Sequence, residues 1–266
     1  MRKNKRHDMQ ISEHELLAMT STMDDMHHDL MPTMHEAAAE WIETNHEENS
    51  QPFGLRAHSR RMFLLGTGGV MGGLVLAACG GGSKSTTSGS STTGSGAAGG
   101  LTGDLAVAGL AASLENLAVN TYQGAIDNAA KLGVPPSVAT FAMTAQSHHK
   151  QHAAAWNSIL TGAGKPAVTG VDQTVKMGVV DPGFAAVKTV PDLAKLALEL
   201  ENVAAATYLN GIQNALQDSG AIKVAASIQP VEMQHAAILN FVLGQYPIPD
   251  SFSKTDGARG PSDTIG

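Results

Sequence analysis

Two glutamates occur in two copies of one short segment. Residues 114–122 and 200–208 carry Glu, Asn, Ala, Thr and Tyr at the same offsets, which places Glu115 and Glu201 at equivalent positions. Each glutamate falls in the apolar stripe of a predicted helix, and no Lys or Arg shares either stripe. An ionised carboxylate in such a core must be neutralised, paired or bound to a metal ion. The repeat therefore predicts two buried carboxylates that need a positive partner.

Histidines supply the complementary half of this pattern. His149 and His152 are three residues apart. Glu232 and His235 have the same spacing, and residues three apart share a helix face. Carboxylates can bridge two cations, and imidazole nitrogens suit iron, zinc or copper. His148 is a rival to His149 because it lies four residues before His152, although His149 is the one that aligns with Glu232. The sequence predicts a two-metal site with the ligands Glu115, His149, His152, Glu201, Glu232 and His235.

Four long helices are expected to position these residues in an all-α bundle. Gly133 and the two prolines that follow it stop the first helix, and Pro191 suits the first turn of the third. A bend is expected around Pro230 in the fourth helix, because proline removes one helical hydrogen bond. The segment between the second and third helices is rich in Gly, Pro, Val and Thr, and we expect a long crossover with short extended pieces. The expected helices span about 104–132, 137–160, 191–219 and 221–243, and the crossover spans 161–190.

The arrangement resembles the ferritin-like superfamily over residues 101–243, and the resemblance implies a four-helix bundle with one long crossover between helices 2 and 3. It implies two iron ions, with manganese as the alternative. Glu115 and Glu201 would be the single carboxylate ligands, and Glu232 a bridging carboxylate. His152 and His235 would be the terminal imidazole ligands.

One position departs from the family pattern. His149 stands where the family usually has a second bridging Glu, so the site has one negative charge and one bridge fewer. The expected consequences are weaker binding of a second ion, a changed redox potential or a single metal ion. Tyr122 and Tyr208 each lie seven residues after a ligand glutamate, so they are candidates for hydrogen bonding to the ligands or for redox chemistry, and equally for ordinary core residues.

A second set of motifs predicts export and lipid anchoring. Residues 59–64, which include Arg60 and Arg61, resemble the twin-arginine export signal. Residues 76–80 resemble a bacterial lipobox that ends at Cys79, which implies cleavage before Cys79 and its diacylation. A Ser/Gly/Thr-rich linker follows. The expected partners are the export machinery and the membrane. The expected location is the outer face of the cytoplasmic membrane, or the periplasmic or outer-membrane side in a cell with two membranes. The expected segments are a cytoplasmic helical extension at 1–58, the signal at 59–79, the linker at 80–100, the bundle domain at 101–245 and a loose tail at 246–266.

The extension before the signal predicts a helical hairpin. Its apolar residues follow a 3-4-3-4 spacing, and Pro32 is expected to break the helix before a second short one begins. Histidines are frequent here, which is compatible with metal sensing or delivery. A cytoplasmic hairpin that contacts a partner, or a later start at Met31 or Met34, accounts for the sequence equally well. The residues of the predicted stripe are Leu16, Met19, Met23, Met26 and Leu30, and the histidines include His27, His28 and His35.

The composition excludes some classes of function. A net charge of −7 gives no support for a nucleic-acid partner, and a single cysteine excludes Cys-based metal clusters. The leading interpretation is a membrane-tethered protein with a dinuclear iron or manganese site. Its expected activity is that of an oxidoreductase acting on ferrous iron, oxygen or peroxide. The rival is a non-enzymatic stress-related or binding lipoprotein with a structural or vestigial metal site. A storage cage fits poorly with a lipid tether on each subunit. A homodimer is compatible with the sequence.

Overall fold

The computed structural model describes residues 11–50, 100–250 and 252–260, the side chains of 45–50 excepted. Within these ranges the protein is helical and contains no strand. The long helices are α1 (Glu13–Ser50), α2 (Asp104–Asp127), α4 (Pro136–Gly162), α7 (Val190–Asn210) and α8 (Ser219–Val242). The short ones are α3 (Ala129–Leu132), α5 (Gln173–Val175) and α6 (Asp181–Ala186), with π-helical turns at Lys176–Val180 and Gly211–Ala215.

Two helical hairpins build the bundle. Helix α2 packs along α4, α7 packs along α8, and α2 also contacts α7. Gly133 adopts a left-handed conformation with φ of 66° and ends the first hairpin's short connecting helix, as its position predicts. Asp104 at the start of α2 accepts hydrogen bonds from the backbone N–H groups of Gln217 and Asp218, which ties the two hairpins together. The all-α bundle with a long crossover between its second and third helices is confirmed.

Local sequence signals account for the start of the second hairpin. Thr189 and Asp192 form reciprocal hydrogen bonds around the first turn of α7, with Pro191 inside that turn. Asp218 accepts from Gly220 N and Ala221 N at the start of α8. Helix α8 continues through Pro230. Helix α7 ends earlier than predicted, because its regular turns give way to a π-helical turn and then to extended backbone at Leu216.

The crossover contains no strand, and its middle is helical. The short helices α5 and α6 and the π-helical turn between them occupy residues 173–186, whereas residues 163–172 are irregular and the backbone is extended at Asp172. Asp172 caps α5 by accepting from Val175 N at 2.7 Å. The Asn116 side chain donates to the carbonyl oxygens of Val168 and Gly170, both at 3.0 Å, which holds the crossover against α2.

Helix α1 is one continuous helix, so the predicted break at Pro32 is wrong. Pro32 leaves the carbonyl of His28 without its helical donor, but both residues face solvent, where water can satisfy that carbonyl. The buried face also differs from the predicted stripe, because Met26 and Leu30 are 42% and 47% exposed. The buried residues instead are Leu16, Thr20, Met23, His27, Met34, Ala37, Ala38 and Trp41.

This face packs against the bundle. Trp41 lies in one apolar cluster with Trp156 and Val224, and Leu16 lies in another with Phe141 and Leu239. Helix α1 up to Asn45 and the bundle belong to one compact unit of the chain.

The remaining predictions on the chain's organisation fall outside the described ranges or stay predictions. The export motif with Arg60 and Arg61, the lipobox with Cys79 and the linker lie outside the described residues. No helix in the described part of the chain has the length and hydropathy of a membrane span. The described tail is irregular, but it is not loose throughout: Arg259 Nε donates to Asp172 Oδ2 at 3.2 Å, and its backbone N–H donates to the Thr207 hydroxyl.

Candidate metal centre

The four bundle helices bring all six predicted ligands to one buried place. Each of these side chains is at most 2% exposed. Helices α2 and α7 each contribute one glutamate from the repeated segment, while α4 and α8 each contribute a pair of residues three apart. The residues are Glu115 on α2, His149 and His152 on α4, Glu201 on α7, and Glu232 and His235 on α8.

The six residues form two overlapping groups. In each group, one nitrogen or oxygen atom per residue lies within 4.8 Å of the corresponding atoms of the others, which is close enough to surround one metal ion. Two residues, His149 and Glu232, belong to both groups. Glu115 and His152 complete the first group, and Glu201 and His235 complete the second. The two shared positions are those at which the family pattern has bridging ligands.

His149 presents a different nitrogen to each glutamate. Its Nδ1 lies 2.7 Å from Glu115 Oε2, and its Nε2 lies 3.2 Å from Glu201 Oε1. His148, the rival, does not face the carboxylates. Its Nδ1 lies 3.1 Å from Nε2 of His235, behind that residue. The structure therefore brings His149, and not His148, among the acidic ligands.

Glu232 is the side chain whose surroundings best fit a metal ion. It is fully buried, and neither of its oxygens accepts a hydrogen bond from any residue that the structure describes. His152 Nδ1 lies 3.0 Å from Oε1, but it too is without an aligned hydrogen bond among the described residues. A buried carboxylate left in this way is costly unless a cation takes the place of the missing donors. The donor set fits iron, manganese or zinc.

The charges of this cluster depend on one another. Burial alone would raise the pKa of Glu115, but His152 and His149 lower it to about 2. Burial would lower the pKa of His152, but Glu115 and Glu232 raise it to about 9. The acidic neighbours also raise the pKa of His149 and His235 above the usual value against the effect of burial. Without metal, protons on the imidazoles balance the carboxylates, and a bound cation would replace those protons.

Each of the two tyrosines forms a hydrogen bond with the glutamate of the other repeat. Tyr122 on α2 donates a hydrogen bond to Glu201 on α7, and Tyr208 on α7 donates to Glu115 on α2. Both hydroxyls are buried, and burial together with the adjacent carboxylates raises the pKa of each tyrosine well above its usual value. The tyrosines therefore stay protonated and act as hydrogen-bond donors that orient the glutamates.

Helix α1 adds two residues that the sequence interpretation did not assign to the site. His27 Nε2 lies 3.2 Å from His152 Nε2, and Asp24 Oδ1 lies 3.0 Å from His148 Nε2. The rings of His27 and His148 stack, with centroids 3.8 Å apart. Burial, followed by the neighbouring histidines, lowers the pKa of both rings to about 2, which keeps them neutral. Of the histidines noted in this extension, His28 and His35 face solvent. The signal that could have found His27 is its position four residues after Met23 on the buried face.

The comparisons with known proteins agree with this architecture. The family model described as a ferritin-like domain matches residues 103–245. No curated protein and no solved structure matches the chain significantly.

Proposed function

The chain belongs to the ferritin-like family, and from that membership we propose that it binds two iron ions, or manganese in their place, and carries out oxidation chemistry on ferrous iron, oxygen or peroxide. The observation that carries this proposal is Glu232, a fully buried carboxylate that finds no hydrogen-bond donor among the described residues and is shared by two groups of candidate metal-binding residues. Bound iron would supply the electrons for the reduction of oxygen or peroxide.

The chain's own residues prepare this centre in three ways. Glu115 and Glu201 supply negative charge that favours cations, and the crossed tyrosines hold each carboxylate in place. His152 and His235 direct Nδ1 towards the glutamates. The ligands lie out of contact with bulk water, which strengthens their electrostatic interactions with a cation.

Access to the site supports a small reactant. A crevice between α1, α4 and α8 reaches His27 and His152 and has a volume of about 10 Å³. This volume is about enough to hold one water molecule. Oxygen, peroxide or an iron ion is therefore a better match to the site than an organic substrate.

Metal content and turnover test the proposal. The full 266-residue chain is loaded anaerobically with Fe²⁺ and its bound iron is counted by mass spectrometry, beside Glu201→Gln and the control Glu199→Gln. Glu199 is exposed on the same helix and belongs to neither ligand group. We expect two equivalents of iron in the wild type and in Glu199→Gln. Glu201→Gln should bind less iron and oxidise Fe²⁺ more slowly. A folded wild type that binds no iron or manganese would contradict the proposal.

The near-complete closure of the site favours a second candidate function. A centre whose ligands are all at most 2% exposed can also serve as a structural metal site in a non-enzymatic binding module. This alternative predicts bound metal that raises the melting temperature but gives no oxidation of Fe²⁺ and no consumption of peroxide. Both activities are measured on the same loaded sample, so one preparation distinguishes the two functions.

We also propose that the protein is exported through the twin-arginine pathway and anchored by a lipid on Cys79. The support comes from the order of the motifs in the sequence, with Arg60 and Arg61 before an apolar run, the lipobox and a flexible linker. Replacing both arginines by lysine should keep the protein in the cytoplasm. Cys79→Ser should release it from the membrane fraction. Unchanged fractionation of both variants would overturn the proposed location.

A further inference from the structure

We propose that α1 completes the metal centre: Asp24 and His27 are positioning residues that set the tautomers of His235 and His152, so that each presents an unprotonated Nδ1 to the metal. The inference rests on the proposed metal centre and goes beyond it, because α1 lies outside the residues that the family model matches. It assigns a role to a helix that precedes the domain.

The first argument is the chain of hydrogen bonds from Asp24 to the site. A carboxylate can only accept, so the proton in the contact between Asp24 and His148 is on Nε2 of His148. In a neutral ring, Nδ1 of His148 is then an acceptor. The atom 3.1 Å away is Nε2 of His235, which must donate. Nδ1 is then the nitrogen of His235 at which a metal ion would replace the proton, and it lies 3.3 Å from Glu201 and 3.4 Å from Glu232.

The second argument is the parallel contact of His27. His152 has its Nδ1 beside Glu232 and Glu115, so as a ligand it carries its proton on Nε2. That nitrogen lies 3.2 Å from Nε2 of His27, which therefore accepts. His27 is 3% exposed, and its Nδ1 has no hydrogen-bond partner among the described residues. A buried imidazole with a hydrogen bond at only one of its two nitrogens is less favourable than an apolar side chain that would only fill space. The hydrogen-bond acceptor that His27 provides for His152 explains why a histidine stands at this position.

The third argument is that α1 is held in a fixed position. At Gly220, a Cβ would lie 2.8 Å from the backbone oxygen of Ala37 and from the backbone nitrogen of Trp41. The two helix backbones therefore meet closely at this point, and a side chain there would force them apart. Trp41 is buried on the same face, and Lys223 on α8 pairs with Glu40 on α1 at 2.5 Å. These contacts set the register that brings Asp24 and His27 to the histidines.

Metal affinity in matched pairs of variants tests the inference. Asp24→Ala and His27→Ala are made in the full chain, with Asp25→Ala and His28→Ala as controls. Each control removes the same side-chain type from the neighbouring, solvent-facing position of α1. Co²⁺ is the probe, and its visible absorption reports both affinity and ligand geometry. We expect Co²⁺ to bind about 10–100-fold more weakly to Asp24→Ala and to His27→Ala, which is the usual effect of removing the hydrogen-bond partner of a ligand histidine. The controls should bind as the wild type does.

A spectroscopic readout separates positioning from general packing. In the Zn²⁺-loaded, ¹⁵N-labelled protein, long-range ¹H–¹⁵N correlations show which ring nitrogen of each histidine carries the proton. The wild type and Asp24→Glu should show His235 protonated on Nε2, and Asp24→Ala should lose that preference while the bundle stays folded.

The outcomes distinguish the role of α1 from the metal centre itself. If the wild type binds neither Co²⁺ nor Fe²⁺, the proposed metal centre is wrong and the inference is wrong with it. If the wild type binds metal but Asp24→Ala and His27→Ala bind it equally well, only the role of α1 is overturned. Weaker binding together with the altered tautomer supports the inference.

Discussion

One half of the centre contains Glu115 and His152, and the other contains Glu201 and His235. The contacts of the two halves are alike near the carboxylates and differ farther from them. In both halves a repeat glutamate accepts a hydrogen bond from the tyrosine of the other repeat. In both halves a ligand histidine has a second histidine behind it. Beyond these shared layers, the His152 half ends at buried His27, whereas the His235 half continues through His148 to Asp24, whose side chain is 42% exposed.

The difference shows which parts of the centre follow the duplication. The glutamates and tyrosines come from the repeated segments, so they obey the internal symmetry of the bundle. Asp24 and His27 come from one helix that has no counterpart in the repeat, and a single helix cannot contact both halves in the same way. The two proposed metal positions should therefore have unequal affinities even though their inner ligands correspond.

The largest effect should come from the residue that both halves share. Glu232→Gln keeps the size of the side chain but removes the charge common to the two groups. We expect both metal positions to be lost, because each would keep a single glutamate. Bound Fe²⁺ is counted by mass spectrometry. Retention of the full metal content by this variant would show that Glu232 is not shared.

Removing the two tyrosine hydroxyls should reduce the stability of the protein by different amounts, although the two tyrosines occupy equivalent positions of the repeat. Tyr122→Phe removes one hydrogen bond to a carboxylate, which costs about 1.5–3 kcal/mol of folding free energy. Tyr208→Phe should cost about 1 kcal/mol more, because the Tyr208 hydroxyl also accepts from Trp156 Nε1 at 2.8 Å. Urea unfolding of the metal-free variants measures both values. Equal losses would argue against the contact with Trp156.

The folding stability of the metal-free protein should depend on pH because its ligand histidines are protonated. The folded-state pKa of His152 is about 9, above the 6.5 of an unperturbed histidine, so its protonation stabilises the folded state fully below pH 6.5. This contribution is lost as the pH rises from 6.5 to 9 and amounts to about 3 kcal/mol or less. Urea unfolding across this range measures it. The metal-loaded protein should lack this loss, since its ligand imidazoles are already unprotonated.

A smaller effect should follow from displacing α1 alone. Gly220→Ala places a Cβ against the α1 backbone and should cost about 1–3 kcal/mol, as overpacking does. It should also make α1 easier for a protease to cleave. Gly178→Ala is the control, because a Cβ there lies farther than 4 Å from every atom it could meet in the described part of the chain. If both variants resist proteolysis as the wild type does, the close contact at Gly220 does not hold α1 in place.

The sequence predicted the bundle because its helices have clear apolar stripes and clear ends. Gly133 and Pro191 mark boundaries that the structure places within one or two residues. The repeat of Glu115 and Glu201 identified the positions that meet at the centre, because carboxylates on buried helix faces need a positive charge that an apolar core lacks. The crossing of Tyr122 and Tyr208 could not be predicted, because spacing along one helix gives the face but not the neighbouring helix.

The extension was predicted less well because hydrophobicity alone does not show which of its polar side chains find hydrogen-bond partners when buried. Hydrophobicity selected Met26 and Leu30 for the buried face, yet the structure buries His27 and Thr20 instead. Thr20 donates to the carbonyl oxygen of Leu16, and His27 pairs with His152, so neither polar group is left entirely without a partner. The pairing of His27 depends on a helix more than a hundred residues further along the chain, which a local pattern does not contain.

The packing of α1 has a consequence for processing. The proposed export motif and Cys79 lie in the sequence between α1 and the bundle, so the proposed signal would connect two parts of one folded unit. Cleavage before Cys79 would convert that unit into a complex of two polypeptides, with α1 retained only by noncovalent contacts such as those of Trp41. The dissociation rate of this peptide would then decide how long the exported protein keeps Asp24 and His27.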